Sequence, residues 1–419
     1  MTDNSFSPAS IRGQVRKIDF LNYPQLSNGN VLEAEIRAAE RLLHSGQWAA
    51  HISYHSIAGK KIATTSSFAS RLALRRVDKN LRGALRFHRD TREQIVGSLS
   101  AILAEGVPFR IYRLDVRKCF ESFSHSSVNA TLKNFRISNG TRRVVSEILA
   151  NHNHAGGTGI PRGLSVSSPI AEMLLEAFDR ELHDHPDVFF YRRFVDDIAI
   201  ITSRREEPTQ FVRHIESMLP PGLLFNTKGE KRRIVEFNRI HHEKSKAANK
   251  PKMEQVNFLG YAFNVASDNH RPVSPLSREV YLDIASAKVR RIKTRINRSY
   301  LDYLSTKDFP LLSKRLRHLT SNMSLLDRSR GVRRLIGIHF NYPLIDVDRS
   351  QALRDLDKFF RASLYSTKGA VFSQISKQLT PTQKATLLKN SFYAGAKSRR
   401  FQQLSVVELG KVQRCWKYA

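Results

Sequence analysis

Two adjacent carboxylates, Asp196 and Asp197, sit between short apolar runs in the stretch Tyr191 to Ile201, Tyr-Arg-Arg-Phe-Val-Asp-Asp-Ile-Ala-Ile-Ile. Val, Ile, Phe and Tyr on both sides are strand formers and Asp-Asp is turn chemistry, so the stretch predicts a β-hairpin with both carboxylates at its tip. Such a pair can bind a hard cation. A lone Asp-Asp pair is most often only a surface hairpin, so the remaining chemistry-bearing residues decide. Asp115 is the third carboxylate: Phe109 to Val116 alternates as a strand and delivers it before a turn containing Lys118, Cys119, Phe120 and Glu121. A carboxylate at a strand end is well placed for a metal.

The elements that must position these groups follow the same order. A glycine-rich segment, Gly156-Gly157-Thr158-Gly159-Ile160-Pro161-Arg162-Gly163, leads into Ser167-Ser168-Pro169. Ser168 is expected to cap a helix with Pro169 at its first position. That helix places Ala171, Leu174, Leu175, Phe178 and Leu182 on one buried face. A glycine-rich loop at a helix start commonly cradles phosphate or packs against a base. Upstream, apolar residues at Val31, Leu32, Ile36, Ala39, Leu42 and Leu43 have helical spacing, and Ser122 to Ala150 reads as largely helical. Downstream come an amphipathic helix over 208–219, a strand reaching Phe237, a lysine-rich loop over 239–252, and a short strand from Phe258 to Phe263.

Charge points to a polyanionic partner. The 419 residues carry 69 Lys and Arg against 38 Asp and Glu, a formal net charge of +31, far beyond what solubility needs. The charge is clustered. Arg71, Arg75, Arg76, Lys79, Arg82, Arg86, Arg89 and Arg92 form one basic run, anchored by Leu72, Leu74, Leu81, Leu85 and Phe87. Such a run is either a solvated face or, held still, a triphosphate or template clamp. Ser277 to Leu304 is expected to form one long helix, with Ile284, Ile292, Ile296 and Tyr300 inward and a stripe of Lys288, Arg291, Arg295 and Arg298 on another face. Basic residues continue through Lys314, Arg315, Arg317, Arg328, Arg330, Arg333 and Arg334. Cys119 and Cys415 are the two cysteines, too few for a disulfide framework or a cysteine-based zinc finger. His241 and His242 lack neighbouring ligands and read as part of a basic loop. No run of about 18 apolar residues suggests a membrane span and the N-terminus has no secretory signal, so the expected location is cytoplasmic.

Taken in order, these motifs resemble the reverse transcriptases. Asp115 is followed five residues later by the aromatic Phe120; Gly159 to Pro169 is a Gly-x-Pro-x-Gly loop before a helix; Phe194 to Asp197 is a hydrophobic-x-Asp-Asp hairpin. Lys228 and Lys231 lie on a lysine-bearing turn, and Phe258-Leu259-Gly260-Tyr261 follows. The likeness covers residues 70–270 and is nearest to the bacterial defence-associated enzymes. Arg162 stands where many relatives have Gln, and Phe194 and Val195 where Tyr-Ala often precedes the two Asp.

The resemblance implies an α/β fold of the right-hand polymerase type, an antiparallel palm sheet packed on helices, with mostly helical fingers, thumb and C-terminal extension. It divides the chain into an N-terminal extension and fingers (1–110), a palm (111–270, with a fingers insertion over 122–158), a thumb (271–345) and a helical extension (346–419). It implies RNA-directed DNA synthesis by two-metal nucleotidyl transfer, with two Mg²⁺ ions, or Mn²⁺, held by Asp115 and Asp196 and supported by Asp197. Arg75, Arg76, Lys79, Arg82, Phe120, Arg162, Gly163 and Lys231 become nucleotide-site residues. Phe120 lies under the incoming sugar, and Lys231 or Lys228 gives a proton to pyrophosphate. Lys288, Arg291, Arg295, Arg298, Phe258 and Gly260 become nucleic-acid contacts. The partners implied are an RNA template, a dedicated non-coding RNA in anti-phage defence, together with dNTPs and the DNA product. The likeness leaves room for a second protein, a further reverse transcriptase chain or an oligomer, and gives no membrane role. An RNA-directed RNA polymerase and a non-catalytic RNA-binding scaffold are the alternatives; the complete carboxylate set argues against the scaffold.

Overall fold

The computed structural model describes residues 4–57, 59–85, 90–227, 229–239, 252–267, 277–327 and 332–416. Its elements run α1 (Pro8–Arg12), α2 (Lys17–Asn22), α3 (Gly29–Ser45), β1 (Ile52–Ile57), β2 (Lys60–Thr65), α4 (Phe68–Ala84), α5 (Arg92–Leu103), β3 (Phe109–Asp115), α6 (Cys119–Ser122), α7 (His125–Lys133), α8 (Asn139–His154), α9 (Ser167–His183), β4 (Val188–Phe194), β5 (Asp197–Thr202), α10 (Pro208–Ser217) and β6 (Arg233–Phe237). They continue with β7 (Met253–Phe258), β8 (Tyr261–Ala266), β9 (Val280–Ile284), α11 (Ser286–Thr306), α12 (Phe309–Leu319), β10 (Asn322–Asp327), β11 (Val332–Gly337), α13 (Gln351–Tyr365), α14 (Ala370–Gln378), α15 (Pro381–Leu388), α16 (Phe392–Lys397) and α17 (Val406–Gln413). The mixed α/β class is the one expected. Two compact units divide the chain: residues 1–90 with 109–236, and residues 91–108 with 237–419. Helix α5 therefore packs with the C-terminal part, although its sequence position groups it with the N-terminal fingers.

In the first unit a four-stranded sheet has the order β4-β5-β3-β6, and the described pairings of β5 with β3 and β4 are antiparallel. Alternation along the strands divides its residues between two faces. Tyr112, Leu114, Ile198, Ile200 and Tyr191 lie on one face and join the first unit's core, to which α3, α4, α7, α8, α9 and α10 contribute. Asp115, Arg113, Asp197 and Phe194 therefore lie on the other face. Helix α9 buries Ala171, Leu174, Leu175, Phe178 and Leu182 as expected. It starts differently, however. Its N-cap is Val166 with no side-chain cap bond, while Ser167 turns its hydroxyl onto the Pro161 carbonyl at 2.5 Å, so Ser168 is not the cap.

The hairpin β1–β2 has no counterpart in the sequence patterning. It joins the first unit through a backbone bond from Ala63 N–H to the Arg162 carbonyl, 2.7 Å. In the second unit β7, β8 and β9 form an antiparallel sheet and β10–β11 a separate hairpin. Two expectations change here. Phe258 to Phe263 is not one strand: Phe258 pairs with Tyr261 across a two-residue turn, with Leu259 at φ 48° and Gly260 at φ 83°, the left-handed pair that a tight hairpin turn requires. The long helix does not begin at Ser277: Val280–Ile284 is a strand, which buries Ile284 in the sheet, and α11 starts at Ser286. Among the described residues no helix is long and apolar enough to cross a membrane.

Candidate active site

The three carboxylates are brought together by strand register. Asp115, the last residue of β3, pairs directly with Asp197, the first residue of β5, and Asp197 also pairs with Phe194 at the end of β4. The hairpin turn is therefore Val195-Asp196, one residue earlier than Asp-Asp turn chemistry suggested, because pairing to β3 takes Asp197 into the ladder. Asp196 is tied beside Asp115 by its carbonyl, which accepts the Val116 N–H at 2.9 Å. Val195 has φ 61°, a conformation that costs a β-branched residue on the order of 1–3 kcal/mol unless its surroundings enforce it.

The enforcement comes from Arg193. Alternation along β4 turns Arg193 toward α9, where it is 2% exposed and binds Asp179 at 2.5 Å and Glu172 at 3.0 Å. Its third contact is a bond from Nη1 to the Val195 carbonyl, 2.9 Å. Tyr191 adds a hydroxyl bond to Asp179, 2.5 Å. A buried charge network thus supports the strained turn from below.

On the carboxylate face, Lys231 Nζ lies 3.0 Å from Asp115 Oδ1, which also accepts the Asn226 side-chain amide. Arg113 lies 3.1 Å from Asp197 Oδ1. Burial pushes the Asp196 carboxyl above its ordinary range, and the charge of Asp115 adds to the shift. Asp197 is also raised, first by burial, with Arg113 opposing and the other two carboxylates reinforcing. Mutually repelling, partly dehydrated carboxylates favour a cation. Among the described residues no three His, Cys, Asp or Glu side chains converge as a ready-made metal cage. Asp115 and Asp196 instead offer a sparse oxygen set, which suits an ion that keeps several waters and takes substrate oxygens.

The glycine loop closes on the turn after β3. Ile160 N–H donates to the Phe120 carbonyl at 2.8 Å. Gly159 (φ 67°) sits so close that a Cβ there would lie 2.2 Å from that oxygen, and Gly163 (φ 100°) presses on the Ala63 carbonyl, 2.4 Å from where its Cβ would be. Both positions need glycine for its missing side chain as well as its positive φ. Arg162 places its guanidinium 4.9 Å from the centre of the Phe120 ring and binds Glu121 with two bonds, 2.5 and 2.9 Å. Arg162 also feels the charge of Asp196, so the loop and the carboxylates share one electrostatic environment.

Other expected site residues are placed elsewhere. Arg75 is buried against Asp19, with bonds of 2.6 and 2.9 Å, and donates to the Gln14 carbonyl; Arg76 is buried and donates to the Ser5 carbonyl. Their guanidinium groups fasten the N-terminal segment to α4, which corrects the expectation that they meet a triphosphate. Lys79 and Arg82 are exposed, Arg82 pairing with Asp78 at 3.0 Å. With Arg16, Arg75 and Arg76 they are among the residues lining a cavity of about 670 Å³. Arg86, Arg89, Phe87, Lys228, His241, His242, Arg328 and Arg330 lie outside the described residues.

In the second unit Phe258 is 1% exposed, a core residue with no face to offer a base, contrary to expectation. Gly260 forms the turn beside it, where Arg92 donates to the Leu259 carbonyl (2.8 Å) and stacks 4.7 Å from the Tyr261 ring centre. Lys288, Arg291 and Arg298 share the stripe on α11. Arg295 lies over Trp416 at 5.7 Å, and Trp416 Nε1 donates to its carbonyl at 3.0 Å. That guanidinium is half-buried rather than presented as the stripe predicted.

Arg113, Glu121, Arg193 and Asn226 were missed as site residues. Arg113 and Arg193 had a signal: each lies two residues before a turn-forming or ligand position on a strand, hence on a predictable face.

Comparisons with known proteins bear on the same segment. Residues 110–263, just over a third of the chain, match the family described as reverse transcriptase (RNA-dependent DNA polymerase). No curated protein matches the chain. Solved structures similar to it include telomerase from Candida albicans in complex with a TWJ fragment of telomeric RNA, at 15% identity and TM-score 0.32, covering 82% of this chain and 53% of that one. Telomerase from Candida tropicalis matches with the corresponding RNA fragment at 13% identity and TM-score 0.34, covering 88% and 64%, and in apo form at 12% and 0.34, covering 87% and 64%. The chain thus spans between half and two thirds of the length of these three solved chains. The matched segment, residues 110–263, holds Asp115, the glycine loop, the Val195-Asp196 turn, Asp197 and the β7–β8 turn, so the candidate site lies within the part of the chain that is similar to reverse transcriptases.

Proposed function

We propose that the protein is an RNA-directed DNA polymerase using Mg²⁺, with Asp115 and Asp196 as the ion ligands and Asp197 as their support. The observation that carries this reading is the register that sets Asp115 opposite Asp197, with Asp196 tied between them through Val116. When bound, two such ions activate an attacking 3′-hydroxyl and stabilise the leaving pyrophosphate. The chain's own residues do the rest. Asp115 and Asp196 supply the negative field, and Arg113 restrains Asp197. Lys231, more than half exposed beside Asp115, is placed to give a proton to pyrophosphate. Phe120 lies beneath the incoming sugar and excludes a 2′-hydroxyl, so the substrates are dNTPs. Lys288, Arg291 and Arg298 track duplex phosphates, which are read without regard to sequence.

The template is a dedicated, structured non-coding RNA in a bacterial defence system, recognised by shape and backbone. The motif resemblance and the net charge of +31 support this setting. A single preparation tests both levels: wild-type protein and Asp196→Asn, each purified from the host locus with its nucleic acid. One abundant small RNA with complementary cDNA is expected from the wild type, and the same RNA without cDNA from the variant. cDNA made at the wild-type level by Asp196→Asn would refute the metal assignment. Product made of ribonucleotides would instead identify an RNA polymerase. A heterogeneous mixture of cellular RNA would remove the dedicated template.

A further inference from the structure

Glu121 lies outside the carboxylate triad, yet its geometry is that of a built contact. Both of its oxygens engage Arg162, Oε1 to Nε at 2.5 Å and Oε2 to Nη2 at 2.9 Å, the planar two-bond pairing that fixes a guanidinium in orientation as well as position. The same guanidinium lies 4.9 Å from the Phe120 ring centre, within reach of an attractive cation–π contact. Phe120 and Glu121 are consecutive on α6, so one residue supplies the ring and the next fixes the group covering it.

The backbone around this unit has little freedom. The Phe120 carbonyl accepts Ile160 N–H at 2.8 Å, and the Arg162 carbonyl accepts Ala63 N–H at 2.7 Å. A Cβ on Gly159 would lie 2.2 Å from the Phe120 oxygen, and one on Gly163 2.4 Å from the Ala63 oxygen. The main chain on both sides of Arg162 is therefore pinned to α6 and β2. What remains adjustable is the Arg162 side chain, and Glu121 holds its end. The pair is about three-quarters buried, at 25% and 29% side-chain exposure, so solvent competes only in part.

We propose that Glu121 is a positioning residue for sugar discrimination: by holding Arg162 with two bonds over Phe120, it fixes the ring that excludes a 2′-hydroxyl. The proposal rests on the reading of Phe120 as the floor of the sugar site. Rotation of that ring by a few tens of degrees about its side-chain bond would open the space that a ribonucleotide needs. Arg162 over one side of the ring opposes that rotation only while the guanidinium is itself held. Without the carboxylate, Arg162 has a second acidic neighbour in Asp196, whose charge it already senses.

The test compares kcat/KM for dNTP and NTP in the full-length protein on a primed RNA template, for wild type, Phe120→Ala, Glu121→Gln, Arg162→Lys and the double variant Phe120→Ala/Glu121→Gln. Phe120→Ala is expected to lower the dNTP-to-NTP ratio by about a hundredfold, the discrimination an excluded polar group can carry. Glu121→Gln should lower it by about tenfold, the size of one desolvated cation–π contact, mainly through a lower KM for NTP. Arg162→Lys keeps the charge, breaks the planar pairing and should give the same loss, which covers the case in which one variant folds poorly. The double variant should match Phe120→Ala alone. A ratio unchanged in both Glu121→Gln and Arg162→Lys, or rates for both nucleotides falling by one common factor, while Phe120→Ala does relax the ratio, would overturn the inference. An unchanged ratio in Phe120→Ala would instead show that Phe120 is not the sugar floor, and the proposal would fall with that reading.

Discussion

Replacing Arg193 with Met should remove the support under the carboxylate turn. The side chain is 2% exposed and serves Glu172, itself 7% exposed, and Asp179 at 3.0 and 2.5 Å. Met fills much of the same volume without charge, so the change isolates electrostatics from packing. Taking one partner from a buried pair costs about 3–5 kcal/mol because carboxylate charge stays behind in a dehydrated site. The missing bond to the Val195 carbonyl adds about 1 kcal/mol and releases a left-handed valine whose own strain is on the order of 1–3 kcal/mol. Against the roughly 5–15 kcal/mol that holds an ordinary domain together, that loss is severe and local. Urea titration followed by amide hydrogen exchange over residues 188–202 would measure it. Protection of β4 and β5 should collapse well before that of α11–α13 in the second unit. Arg193→Lys, which keeps a charge but not the planar fork, should lose about 1–2 kcal/mol and still reduce kcat. A loss below about 1 kcal/mol in Arg193→Met, with unchanged exchange in β4 and β5, would refute the idea that this network holds the turn.

Two further outcomes follow from the second unit. Neutralising Lys288, Arg291 and Arg298 together should weaken duplex binding alike for all sequences and flatten the log K against log salt slope by about 0.9 for each phosphate that no longer has a cation beside it; an unchanged slope would make the stripe a solvated helix face. Burial, aided by Arg295, holds His318 down at about 4 where it stacks on Trp416 at 5.7 Å. Between that value and the ordinary one near 6.5, the unfolded chain takes up a proton that the folded His318 refuses. Stability therefore falls as pH drops through this window, by up to about 3 kcal/mol. The acid sensitivity of unfolding should shrink in His318→Gln; equal sensitivity in both proteins would remove His318 as its source.

The carboxylates were legible because the signal is local: a strand pattern ending in Asp115 and a hairpin carrying Asp196 and Asp197 are visible in runs of a few residues. Register was not. Turn chemistry favours Asp-Asp at the tip, whereas pairing with β3, about 80 residues away in sequence, takes Asp197 into the ladder and leaves Val195 in the turn. The basic run misled for a related reason. Arg75 and Arg76 share α4 with Leu72 and Val77, and whether a buried-side arginine meets a ligand or a structural acid depends on Asp19 and Ser5, far upstream. At Phe258-Leu259-Gly260-Tyr261 the apolar residues read as strand, and only the positive φ of Leu259 together with Gly260 makes a turn. The stripe on α11 likewise carried no warning of Trp416, which comes from the other end of the unit to cover Arg295.

The charges around the triad explain how three acids can be kept so close before any ion is bound. Asp197 has Arg113 at 3.1 Å and Asp115 has Lys231 at 3.0 Å together with the Asn226 amide; in each case the cation is supplied by a neighbouring strand position or turn. The two cations are not equivalent. Arg113 is 15% exposed and sits on β3, so its hold on Asp197 is a fixed part of the sheet. Lys231 is 57% exposed on a short turn, and a compact ammonium on a flexible stem is the group that can be exchanged for a stronger cation. The Asp196 carboxyl, pushed up by burial and by the charge of Asp115, gains from added positive charge. These charges support the proposed roles, in which Asp115 and Asp196 bind the ion, Asp197 supports them, and Lys231 gives its proton to the leaving group.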